Sequence, residues 1–122
     1  MKRILIIDDD LNMRETIRDI LSGEKYEIMI ASDGSEGITL HKQQAFDLII
    51  TDIIMPDMDG IEVIIELKKN HPGTKIIAIS GGGYYFADDY LETARALGAD
   101  KVIEKPFENK ELIETVHHLI GI

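Results

Sequence analysis

Residues 2–10 read KRILIIDDD. Four apolar residues, Ile4 to Ile7, run directly into three carboxylates, Asp8, Asp9 and Asp10. A short, continuous, Ile-rich run fits a strand buried on both faces, as in a parallel sheet covered by helices. Apolar runs recur at 28–31, 46–50, 76–79 and 102–103. Between them the period changes to that of a helix. Leu11, Ile17, Ile20 and Leu21 share one side of 11–22, and Ile61, Ile64, Ile65 and Lys68 share one side of 60–69. Leu112, Ile113, Val116, Leu119 and Ile120 mark the clearest stripe, over 108–120.

The punctuation agrees. Asp33 with Glu36 has the spacing of a capping box for a helix over 34–43. His71-Pro72-Gly73 stops the third helix, and Gly98 stands where a helix over 87–97 would need its terminal glycine. Strand and helix therefore alternate five times. The expected class is α/β, a doubly wound (βα)5 fold whose five-stranded parallel sheet has helices on both faces.

The 122 residues suit one domain, spanning 1–122 with a core over about 2–120. With 23 acidic residues against 13 Lys and Arg, the net charge is −10. That balance opposes direct nucleic-acid binding and binding to an anionic membrane surface. The absence of cysteine removes thiol nucleophiles, disulfides and Cys-based metal centres. No apolar stretch is long enough for a signal peptide or a membrane span, so the expected location is cytoplasmic.

Open α/β sheets bind ligands at the carboxyl ends of their strands. The residues there are Asp8-Asp9-Asp10, Thr51-Asp52, Ser80-Gly81 and Glu104-Lys105-Pro106. Neither a P-loop nor a dinucleotide glycine pattern is present. Carboxylates stand where such sites need glycine, so this edge is suited to a cation. Asp10 is the natural N-cap of the first helix. Asp8, Asp9 and Asp52 offer hard oxygens for Mg²⁺, with Mn²⁺ as a substitute, and would repel one another without a cation. Lys105 would balance charge or hold a phosphoryl oxygen. The four histidines, His41, His71, His117 and His118, lie away from strand ends and read as surface residues. The Lys105–Pro106 bond is a candidate for the cis form.

These four strand-end motifs, with the stretch 51–60 (TDIIMPDMDG), resemble the receiver domain of bacterial two-component response regulators. The resemblance covers about 2–120 and is specific because all four motifs occur in order. It implies the flavodoxin-like strand order 2-1-3-4-5. It implies that Asp52 accepts a phosphoryl group from a phosphohistidine on a histidine kinase or histidine phosphotransfer protein. Asp9, Asp52 and the Ile54 backbone carbonyl would bind Mg²⁺ directly, and Asp8 mostly through water. Ser80 and Lys105 would hold phosphoryl oxygens, Gly81 would leave them room, and Pro106 would follow the lysine. The protein would catalyse only its own phosphorylation and dephosphorylation. An unknown downstream protein, or a phosphorylation-dependent homodimer, would read the result.

Two departures stand out. Receivers usually carry an aromatic residue three positions before the strand-5 lysine, where this chain has Val102. A stiff β-branched side chain has no ring to swing, so the switch is expected to act through the segment after Ser80. Ile54 and Gly82, at positions that often set phosphoryl lifetime, cannot orient water, which implies slow hydrolysis. Tyr84, Tyr85, Phe86 and Tyr90 suit either loop packing or a partner surface.

Two other readings compete. A haloacid-dehalogenase-type phosphatase would use Asp8 as nucleophile within Asp8-Asp9-Asp10, but leaves Asp52 unexplained. A degenerate receiver would only bind a partner, yet the acceptor, metal and lysine positions are all filled. The chain ends at Ile122, directly after the last helix, so no output domain is expected within it.

Overall fold

The computed structural model describes residues 1–53, 60–80 and 87–121. In chain order these form β1 (Lys2–Ile7), α1 (Leu11–Ser22), β2 (Tyr26–Ala31), α2 (Gly34–Gln43) and β3 (Leu48–Asp52). Then follow α3 (Gly60–Asn70), β4 (Lys75–Ser80), α4 (Ala87–Leu97), β5 (Lys101–Glu104) and α5 (Asn109–Ile120). All strand pairs are parallel, in the order β2-β1-β3-β4-β5. The expected class and order therefore hold.

The apolar runs explain the sheet. Ile4–Ile7, Leu48–Ile50 and Ile76–Ile79 are each exposed by 1% or less, so both faces of the central strands are covered. Alternate residues feed opposite cores. Leu5, Ile7, Ile49, Ile76 and Ala78 pack with Val63, Ile64 and Leu67 of α3 and Ala94 of α4. Ile4, Ile6, Leu48, Ile50, Ile77 and Ile79 pack with Ile17 and Leu21 of α1 and with Leu112 and Val116 of α5. The strands run a little beyond their apolar runs, because the backbone ladder continues where side chains reach water. β3 starts at Leu48 rather than Phe46.

Capping follows the expected chemistry. The Asp10 side chain accepts the Asn12 N–H, and the Asp33 side chain accepts the Glu36 N–H. Glu36 in turn accepts the Ser32 N–H at 2.8 Å, one residue before the N-cap, so the return bond of the capping box is shifted by one position. Gly98 adopts φ +121°, a conformation few side chains tolerate, and its N–H closes the end of α4 on the Arg95 carbonyl.

Three expectations need correction. The buried stripe of α3 is Val63, Ile64 and Leu67, while Ile65 is 48% exposed. The spacing i, i+1, i+4 fits both choices, and the contact with the sheet decides between them. Leu11 opens α1 on the solvent side, 57% exposed. His41 is not a surface residue but is 1% exposed. Its Nδ1 accepts the Phe46 N–H at 3.1 Å, its Nε2 lies 3.2 Å from Thr74 Oγ1, and its ring meets His71 edge-on. Burial lowers the His41 pKa, and the nearby His71 lowers it further. His117 is also engaged, with Nε2 2.5 Å from Glu24 Oε1.

Candidate functional site

Register decides which polar residues meet. Ile7 pairs with Ala31 and Thr51, Asp52 pairs with Ile79, and Ser80 pairs with Glu104. The residues that follow or end β1, β3, β4 and β5 therefore share one edge of the sheet. That edge carries Asp8, Asp9, Asp52, Ser80 and Lys105.

Asp8 continues β1 by one hydrogen bond, its N–H donating to the Ala31 carbonyl at 3.2 Å. Its Oδ1 accepts the Asp10 N–H at 2.9 Å, and its carbonyl accepts Arg14 Nη1 at 2.8 Å. With Asp10 turned onto α1, Asp8 and Asp9 are left to face Asp52. Carboxylate oxygens from these three lie within 4.8 Å of one another. Asp8 is buried and Asp9 exposed.

Lys105 joins the cluster from β5. Its N–H donates to the Ser80 carbonyl at 2.7 Å, which aligns the residue past the end of the strand. Its Nζ lies 3.6 Å from Asp8 Oδ2 and 3.7 Å from Asp52 Oδ2. The Lys105–Pro106 peptide is cis. Burial pushes the Asp8 carboxyl up to about 6. The Asp10 N–H opposes that rise, the Asp52 charge adds to it, and Lys105 partly offsets it. Three carboxylates with a single ammonium leave excess negative charge, which favours a divalent cation with hard oxygen ligands.

Ser80 is fully buried, and its Oγ has no hydrogen-bond partner among the described residues. A buried hydroxyl without a partner is costly unless something else supplies one. A phosphoryl oxygen at this edge would do so. Val102 lies on β5, half-buried against the cluster that contains Ile49 and Ala78. Ile54, Gly81, Gly82 and the stretches 55–59 and 83–86 lie outside the described residues, as does the Tyr90 side chain.

Reading the sequence alone misses two contributors. Arg14 clamps the Asp8 carbonyl from one turn into α1, a contact that needs the helix direction to be known. Gly37 lies inside α2 against Ile7. A glycine in a helix interior was the available signal.

Comparison with known proteins fits this geometry. Residues 4–117 match the model of the response regulator receiver domain. Chemotaxis protein CheY of Thermotoga maritima is 36% identical over 117 residues, covering 95% of each chain. Cell cycle transcriptional regulator CtrA of Caulobacter vibrioides is 35% identical over 118 residues, covering 97% of this chain but 50% of that protein. A response regulator receiver protein of Anaeromyxobacter is 38% identical, and the chain spans 43% of its length. The chain thus spans about half the length of several relatives. Among solved structures, the receiver domain of NtrX from Brucella abortus superposes with a TM-score of 0.90 at 31% identity, covering 96% of this chain and 97% of that one.

Proposed function

The chain belongs to the response regulator receiver domain family, and on that premise we propose that Asp52 is its phosphoacceptor. The family implies a phosphodonor partner such as a histidine kinase, and receiver domains generally bind Mg²⁺. The observation that carries the assignment is the position of Lys105 Nζ, 3.7 Å from Asp52 and 3.6 Å from Asp8.

In the proposed reaction an Asp52 oxygen attacks phosphorus in line with the leaving imidazole. An O–P bond forms, the N–P bond breaks, and the electron pair of that bond stays on the imidazole nitrogen. Phosphoryl transfer depends mainly on positioning and charge neutralisation. Lys105 would shift from its carboxylate partners toward one equatorial oxygen, and the Ser80 hydroxyl would donate to another. Asp8, Asp9, Asp52 and the Ile54 carbonyl would hold the metal. Bound Mg²⁺ would neutralise the charge that develops on the phosphoryl oxygens.

Asp52 is a better nucleophile than Asp8. The Asp8 side chain is 2% exposed against 11% for Asp52, so Asp52 is the more accessible to a donor. The raised Asp8 pKa also keeps it partly protonated near pH 6. These points argue against the haloacid-dehalogenase reading, which predicts turnover of a phosphate monoester. A hollow lined by Met13, Ile20, Pro106 and Phe107 opens beside Lys105 and offers the donor protein an apolar foothold. Among the described residues no helix is long and apolar enough to cross a membrane. Family membership, rather than that absence, supports a cytoplasmic signalling role. Phosphorylation by acetyl phosphate with Mg²⁺, comparing wild type with Asp52→Asn by intact mass, tests the assignment.

A further inference from the structure

The helix that lies over the end of β1 carries a glycine where it meets the strand. Gly37 is buried in the interior of α2, where glycine is less favourable than alanine. A Cβ there would press on Ile7 Cδ1 far inside contact distance, lie 2.8 Å from Ile7 Cγ1, and lie 3.7 Å from Leu5 Cδ2. Ile7 immediately precedes Asp8 and is 1% exposed. The close approach of helix and strand thus exists only because position 37 has no side chain.

The helix is also fastened at both ends, so it resists lifting away. At its start the Asp33 side chain accepts the Glu36 N–H and the Glu36 side chain accepts the Ser32 N–H. Near its end His41 accepts the Phe46 N–H and contacts Thr74 Oγ1, which ties α2 to the segments leading into β3 and β4. A side chain at 37 would therefore displace Ile7 more readily than the helix. Ile7 Cγ1 is set by the stiff χ1 of a β-branched residue packed among buried neighbours, so the 2.8 Å approach is not relieved by turning the end of the side chain. The Ile7 backbone would move instead, and Asp8 would move with it.

We propose that Gly37 is a positioning residue for the Asp8 carboxylate, acting through Ile7. The proposal rests on the reading of Asp8 as part of the metal site. Gly37 touches neither metal nor phosphoryl group. Its role is to let α2 seat on β1 so that Asp8 meets Asp9, Asp52 and Lys105 in register.

The test is Mg²⁺ affinity by titration calorimetry on the unphosphorylated protein, with thermal unfolding of the metal-free form measured alongside. Gly37→Ala should weaken Mg²⁺ binding about tenfold, the lower end of what losing an outer-shell support does. Ile7→Ala removes both Cδ1 and Cγ1, the two atoms in the way, so Gly37→Ala combined with Ile7→Ala should bind Mg²⁺ like Ile7→Ala alone. Val116→Ala loosens the core on the opposite face and should lower the unfolding temperature without changing Mg²⁺ affinity. Wild-type affinity in Gly37→Ala would overturn the proposal. So would a loss that Ile7→Ala does not relieve, or an equal loss in Val116→Ala. If Gly37→Ala does not fold, the double variant decides: folding and binding like Ile7→Ala supports the proposal, and failure to fold where Ile7→Ala alone folds overturns it. Absence of Mg²⁺ binding by the wild type would instead remove the metal-site reading on which the proposal stands.

Discussion

Lys105 Nζ lies 3.7 Å from Asp52 Oδ2, a contact between residues at the ends of β5 and β3. The two strands are not neighbours, because β4 lies between them. The long lysine side chain therefore reaches across the end of β4, and the Ser80 carbonyl anchors its backbone there. Replacing Lys105 with Met keeps most of the apolar stem and removes the charge. Lys105→Met should slow phosphorylation of Asp52 by acetyl phosphate about 100-fold or more, as expected when one preorganised charge donor is lost. A rate within a few-fold of wild type would mean that the ammonium does not meet the transferring group.

The buried Asp8 carboxyl makes the metal-free fold sensitive to pH. Its folded pKa, about 6, is above the ordinary value of 3.8. Between these values the folded protein holds a proton that the unfolded chain has lost. Stability conferred by that proton is present at low pH and disappears as pH rises through about 6. Asp8→Asn should therefore stabilise the metal-free protein by roughly 1–3 kcal/mol near neutral pH and by much less in acid. Thermal unfolding of the pair across pH measures the difference. The proton and Mg²⁺ also compete, so wild-type Mg²⁺ affinity should fall as pH drops below about 6.

His41 titrates with the opposite sign. Its Nδ1 accepts a backbone N–H and must stay unprotonated in the fold, while burial and His71 lower its pKa below 6.5. Below that value the unfolded chain takes up a proton that the fold refuses. The His41 contribution is thus complete above 6.5 and lost as pH falls. His41→Ala should cost roughly 2–4 kcal/mol near neutral pH, from the cavity and the orphaned Phe46 N–H. The gap between wild type and variant should narrow in acid. A gap that widens in acid would show that His41 is protonated in the fold.

Much of this was legible beforehand because parallel strands are buried on both faces and therefore read as unbroken apolar runs. Ile4–Ile7, Leu48–Ile50 and Ile76–Ile79 are such runs, and Asp8, Asp52 and Ser80 just beyond them mark the candidate site's edge. Strand order was not legible from periodicity and came from the family resemblance. The α3 stripe is ambiguous in the sequence because Ile61, Ile64 and Ile65 satisfy the helical period as well as the buried set of Val63, Ile64 and Leu67. The burial of His41 is hidden in the sequence for a different reason. Its partners, Phe46 and Thr74, are contributed by chain segments that only folding brings together. Arg14 and Gly37 act through the backbone and side chain just around Asp8, and neither belongs to a motif.

The most direct test of the central claim is the intact mass of the protein after incubation with Mg²⁺ and acetyl phosphate. The wild type should gain one phosphoryl group, dependent on Mg²⁺, and Asp52→Asn should gain none. A phosphoryl group that still appears on Asp52→Asn would place the acceptor elsewhere and contradict the account.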